Sequence, residues 1–186
     1  MQSVAAETAD WNVVVTLPEQ TFQEACRLLR QWGQVRRTGF YNVLGLVVEE
    51  PRRFLDDFAA AVRREPGLLN FVSHVVPAEH VFDFRDEAEF AARAREVVLG
   101  WLPRVAGKSF KVRLHRRGLK GILRSHEEER LVADCVLSQP AAAGAPGRVD
   151  LDDPDCVIQI ETIGHRAGVS IWSRQERQRF PFLGID

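Results

Sequence analysis

Between Arg104 and Arg124 the chain carries eight cations, Arg104, Lys108, Lys111, Arg113, Arg116, Arg117, Lys120 and Arg124, and not one Asp or Glu. Fixed positive charges close to glycines are suited to meeting successive phosphates, with backbone amides close enough to help. The candidate RNA-binding residues are therefore Lys108, Lys111, Arg113, His115, Arg116, Arg117, Lys120 and Arg124. Proton-transfer or metal chemistry finds less support. His115 reads as an outward strand residue rather than a catalytic base, since no partnered nucleophile can be argued from the chain. His74, His80, His126 and His165 have no ligand spacing. Asp150, Asp152, Asp153 and Asp155 lack the glycine and terminal glutamate of a calcium loop and read as turn chemistry. With no P-loop, no glycine-rich dinucleotide fingerprint and no C-x-x-C pair, neither a catalytic residue nor a metal or cofactor is expected.

The elements that must hold this stretch follow from its periodicity. Phe110, Val112 and Leu114 alternate with Lys111, Arg113 and His115, which predicts a strand with one apolar and one cationic face. Arg116 to Gly121 is expected to be a loop. Ser125 and Glu128 form an S-x-x-E capping box opening a helix whose buried side is Leu131, Val132, Cys135 and Val136. The Gly118-Leu119-Lys120-Gly121 spacing also matches the clamp of KH domains, but that clamp joins two helices and here a strand precedes it.

The chain of 186 residues, 45% hydrophobic and 27% charged, can fill one large or two small cores. A net charge of -1 hardly attracts a polyanion, so such a partner must be met by a local patch. Cys26, Cys135 and Cys156 are an odd count without metal spacing, pointing to a reducing compartment. The opening residues lack a basic start and an apolar core, and no apolar run approaches the roughly 20 residues that span a bilayer. A cytoplasmic protein with no membrane association is expected.

In the first half, Val13–Val15 reads as a strand and Phe22, Ala25, Cys26 and Leu29 as a helical stripe closed by Trp32-Gly33. Strands around 34–38 and 43–48 flank a turn. Pro51 begins a helix with the stripe Phe54, Leu55, Phe58, Ala61 and Val62, and Asn70–Val76 reads as the closing strand. The order βαββαβ is that of a ferredoxin-like domain, assigned here to residues 10–84. A helix from about Asp86 to Leu102-Pro103 follows, then the basic unit, a flexible loop over Gln139–Gly147 and a hairpin from Cys156 to Trp172. The fold class is α+β, with the first domain expected to pack on a C-terminal α/β domain of residues 85–175. Residues 176–186 read as a tail, and Arg174, Arg177 and Arg179 near the C-terminus either extend the basic surface or are simply polar.

FKVRLHRRG followed by S-x-E-x-E-R, and then RVDLDDPDCVIQIETIGHRAGVSIW, resemble the motifs of a THUMP domain. The second of these is similar to that family's V-D-L-x-x-P-D and hydrophobic hairpin. The resemblance covers about residues 85–174, and the preceding ferredoxin-like half is as the family implies. With no catalytic domain after Trp172, the chain is similar to stand-alone THUMP proteins. That implies a noncatalytic tRNA-binding adaptor, engaging the acceptor stem and 3′ end, for a separate tRNA-modification enzyme such as a cytidine acetyltransferase. The alternatives are a stand-alone RNA-modifying enzyme and a protein-binding scaffold whose basic stretch receives an acidic partner. No Tyr, and no outward Phe or Trp, lies in the basic stretch, so base stacking would have to come from Arg planes or from elsewhere in the fold.

Overall fold

The run Val13–Val15 is β-branched and buried on both faces, and it becomes the centre of the first sheet. In the computed structural model, which describes residues 10–138 and 145–185, this strand is β1 (Val13–Thr16). It is followed by α1 (Phe22–Leu29), β2 (Gln34–Arg37), β3 (Val43–Val47), α2 (Pro51–Arg64) and β4 (His74–Pro77). The sheet order is β2-β3-β1-β4, with every neighbouring pair antiparallel. This is the predicted split-βαβ arrangement. Pro51 occupies the start of α2, and Glu50 caps it by accepting from Arg52 N at 3.1 Å and from Arg53 N. Phe54, Leu55, Phe58 and Ala61 are buried as the stripe requires. The closing strand begins later than predicted, because Pro66–Asn70 winds into a 3-10 turn anchored by buried Leu68.

The second unit begins at Ala78. It runs β5 (His80–Asp83), α3 (Glu87–Leu99), α4 (Leu102–Val105), β6 (Ser109–Arg117), α5 (Ser125–Leu137), β7 (Arg148–Val149), β8 (Cys156–Ile163), β9 (Arg166–Ser173) and α6 (Arg174–Arg179). The sheet order is β5-β9-β8-β6-β7, with β6 parallel to both its neighbours. α3 and α5 pack together, and Phe90, Val98, Phe110, Val132, Ile158 and Ile160 fill the core between helices and sheet. The fold is α+β, as expected.

Several sequence expectations shift. β5, assigned above to the end of the first domain at residue 84, pairs with β9, so the boundary falls between Pro77 and Ala78. Pro103 does not end a helix but lies in the first turn of α4, where its missing N–H costs nothing. Residues 176–185 are not a tail. Ser173 and Glu176 form a reciprocal capping box on α6, and Phe180, Phe182 and Leu183 beyond it are buried. Ser125 and Glu128 form no such box, since Arg124 occupies the N-cap of α5 without a side-chain capping bond and Glu128 is turned inward. Leu131 is exposed, and Val132, Cys135 and Val136 alone of the predicted stripe are buried. The loop at 139–147 falls largely on residues 139–144, outside the described residues. Cys26, Cys135 and Cys156 are free thiols, and among the described residues no helix is long and apolar enough to cross a membrane.

Candidate nucleic-acid interface

β6 continues two residues further than predicted. Arg116 and Arg117 pair with Thr162 and Ile163 of β8, so they are strand residues rather than loop residues. The two parallel strands therefore end together, and the chain leaves β6 through Gly118, Leu119 and Gly121 at φ of +86°, +54° and +88°. Glycine serves the first and last of these turns without steric penalty. Leu119 adopts a conformation unfavourable for a branched side chain. Its side chain packs on the core, and its carbonyl accepts from Ile122 N at 3.0 Å and Leu123 N at 3.1 Å. Leu123 is itself buried. The loop is thus pinned at two leucines, with Lys120 and Gly121 facing outward between them.

Beside this loop lies a buried carboxylate. Glu161 is 2% exposed, and its Oε1 accepts from Gln159 Nε2 at 2.6 Å and lies 3.1 Å from His115 Nδ1. Its other oxygen accepts from Arg117 Nη1. Burial pushes the Glu161 carboxyl up, but the His115 hydrogen bond and the Arg117 charge outweigh it and hold the group below its ordinary range. His115 moves the other way. Its bond to Glu161 raises its pKa above the ordinary 6.5, against burial and the charges of Arg117 and Arg113. The trio is near electroneutral while His115 is neutral, and gains one positive charge when it protonates. The Arg117 side chain is only 18% exposed, and its backbone N–H donates to Thr162 Oγ1 at 3.3 Å. Arg116 Nη1 donates to the Gly118 carbonyl, tying that side chain to the loop.

The candidate cations divide accordingly. His115, Arg116, Arg117 and Lys120 gather at the C-terminal end of β6 and β8, and Arg113 stands exposed two positions before His115 on the same strand face. Arg124 closes the loop and pairs with Glu127 at 2.9 Å. Lys108 lies at the opposite end of β6, nine residues and about 30 Å from Arg117. Lys111 does not project outward as the alternation predicts. It is 7% exposed, because this part of the cationic face is itself covered. Stretches contiguous in sequence thus supply two separate charged regions, with one lysine in neither.

The start of α5 is unsuited to an anion. Glu127 and Glu128 occupy its first turn. Glu128 is 1% exposed, and its Oε2 has no hydrogen-bond partner among the described residues. Burial, reinforced by the neighbouring Glu87, raises its pKa to about 7. The aspartates of 150–155 are structural. Asp150 accepts from the backbone N–H of Asp152 and Asp153 at 3.1 and 3.2 Å, and Asp155 accepts from Ser109 N at 2.8 Å. Arg174 pairs with Asp153 and Asp155, both at 3.2 Å, and Arg177 donates to the Pro154 carbonyl. Of the C-terminal arginines, these two clamp that loop instead of extending a basic surface.

Sequence reasoning missed Gln159 and Glu161. Their signal was the alternation of polar residues with Ile158 and Ile160 along β8, a pattern already used for β6.

Residues 84–171 match the family model described as THUMP domain. Over 109 residues the chain is 33% identical to an Aeropyrum pernix protein named "Probable tRNA sulfurtransferase", covering 59% of this chain and 25% of that protein. It therefore spans about a quarter of that relative's length. Among solved structures it is similar to PH1313 from Pyrococcus horikoshii Ot3, with a TM-score of 0.62 and 14% identity over 87% of this chain and 54% of the other. TrmN from Thermus thermophilus gives a TM-score of 0.55 and 18% identity over 86% of this chain and 44% of that one. A 4-thiouridine synthetase in complex with RNA and ATP gives 0.52 and 14% over 87% and 41%. At these identities the likeness to solved structures is one of fold.

Proposed function

Because residues 84–171 match the THUMP domain model, we propose that this protein binds tRNA without transforming it and presents it to a separate tRNA-modification enzyme. The observation that supports this reading is the grouping of Arg113, His115, Arg116 and Lys120 around a glycine-turned loop at the end of two parallel strands. Such a surface meets phosphates, which position a nucleic acid without reading its bases. The side chains there with acid–base character, His115 and Glu161, are hydrogen-bonded to each other, which suits a charged scaffold better than proton transfer to a substrate. The partner class follows from the resemblance described above: a cytidine acetyltransferase is one example, and the acceptor stem and 3′ end are the part of tRNA engaged. Three free thiols suit action in the cytoplasm.

The test is purification of the tagged chain from its own cells, followed by sequencing of bound RNA and identification of bound protein. Copurified tRNA together with a distinct modification enzyme is expected. Modification of tRNA by the pure chain would replace this reading with that of an enzyme, and a protein partner without RNA would replace it with that of a scaffold.

A further inference from the structure

The proposed RNA-binding role leaves unpaired bases without an aromatic platform in the basic stretch. Such a platform exists in the first unit. We propose that the turn Phe40–Val43, with Phe22 of α1, is a stacking subsite for an unpaired nucleobase of the bound RNA, an inference that rests on the RNA-binding reading. Tyr41 is the chain's one tyrosine and is 77% exposed, a placement that contributes nothing to the core. Phe40 beside it is 37% exposed. These two, with Phe22, Gln20, Gly39 and Asn42, line an open cleft of about 470 Å³, large enough for a base with part of its ribose.

The cleft is held in shape. Val43 N donates to the Phe40 carbonyl at 3.3 Å, closing a four-residue turn whose third residue, Asn42, sits at φ +55°. The Asn42 carbonyl accepts from Leu17 N at 2.9 Å, and Thr38 Oγ1 accepts from Phe40 N at 3.2 Å. Tyr41 is therefore presented on a turn tied to the strand before it and to the segment after β1. The charge around it suits a nucleotide. The Arg37 guanidinium lies 5.0 Å from the centre of the Phe22 ring. No residue lining the cleft is acidic. Exposed aromatics with adjacent arginines are the arrangement that binds single-stranded nucleic acid through base faces and phosphates together.

The test uses the full chain and two RNA hairpins of identical stem, one blunt and one carrying an unpaired 3′ tail with 2-aminopurine in it. The wild-type chain is expected to bind the tailed hairpin more tightly and to quench the 2-aminopurine. Tyr41→Ala is expected to lose about 5- to 140-fold in affinity for the tailed hairpin alone, the range for one stacked base, and to lose the quench. Tyr41→Phe should keep both. Unchanged circular dichroism and melting temperature would confirm that the variants are folded. If the wild type binds tailed RNA but Tyr41→Ala binds and quenches equally well, the stacking subsite is wrong while the RNA-binding reading stands. Equal losses on both hairpins would likewise overturn it, since Tyr41 would then belong to a stem-binding surface. If the wild type binds neither hairpin nor tRNA, both readings fall.

Discussion

Replacing Arg117 with alanine distinguishes a structural cation from an RNA-contacting one. Arg117 is 18% exposed and its guanidinium faces the carboxylate of Glu161, which is 2% exposed. Removing it deletes one of three donors to Glu161 and leaves a buried charge supported only by Gln159 and His115. A charge-assisted hydrogen bond contributes about 1.5–3 kcal/mol. Stranding the buried partner raises the loss to about 3–5 kcal/mol. The retained donors place the expected value near the lower end, about 3 kcal/mol. The loss should be smaller at pH 6 than at pH 8.5, because protonated His115 supplies a substitute charge in the acidic range. Arg117→Ala with Glu161→Gln removes both charges, and should recover most of the stability. Urea denaturation of the two single variants and the double, at both pH values, completes the cycle. An Arg117→Ala protein as stable as the wild type but with a flatter salt dependence of tRNA binding would refute this account and make Arg117 a phosphate ligand.

Lys120 is exposed on the pinned loop, so Lys120→Ala should lower the salt slope of tRNA binding by about 0.7–0.9 with no change in melting temperature. His115 has a pKa raised above 6.5 by Glu161, so its positive charge is present below that raised value and lost as pH climbs through it. tRNA affinity should fall over the same interval, and filter binding with His115→Gln should show a flatter pH profile. Glu128 has a pKa raised from 4.5 to about 7, so its ionisation costs stability as pH rises through that window. Glu128→Gln should match the wild type at pH 4, below the ordinary carboxyl value, and exceed it by about 1–3 kcal/mol at pH 8 in urea denaturation, the lower part of that range allowing for solvent screening.

The elements legible in the sequence are those whose signals are local. Pro51 and the Phe54–Ala61 stripe define α2 within a few residues, and the βαββαβ order follows from such pieces. Lys111 shows where this stops. A period of two assigns it to the face opposite Phe110 and Val112, but whether that face meets water depends on what covers it, which no alternation encodes. The two S-x-x-E sequences make a similar point. Ser173 precedes α6 with extended backbone and caps it, whereas Ser125 is already inside α5 because the extended residue is Arg124. The spacing is the same in both, and the backbone at the serine decides. At the candidate interface, the cluster of cations was visible as composition. Their sorting into exposed, tethered and neutralised groups was not, because Glu161 lies 44 residues beyond Arg117.

The order of strands also constrains how the protein can be made. Each neighbour of β6 in the sheet, β7 and β8, lies downstream of it, and β5 waits for β9. The first unit, by contrast, has all its strands by Pro77. On a ribosome the first unit can close while the second is still being synthesised, since domains fold as units in order of emergence. β6 and α5 must then carry unpaired edges and apolar faces until β8 and β9 arrive, and such long-range parallel pairing is intrinsically slow. Residues 110–137 thus stay open to a chaperone until β8 and β9 arrive, and the cationic loop is displayed to polyanions before β8 exists to pair with β6. The surface on which function is proposed to depend is complete only once β8 has arrived.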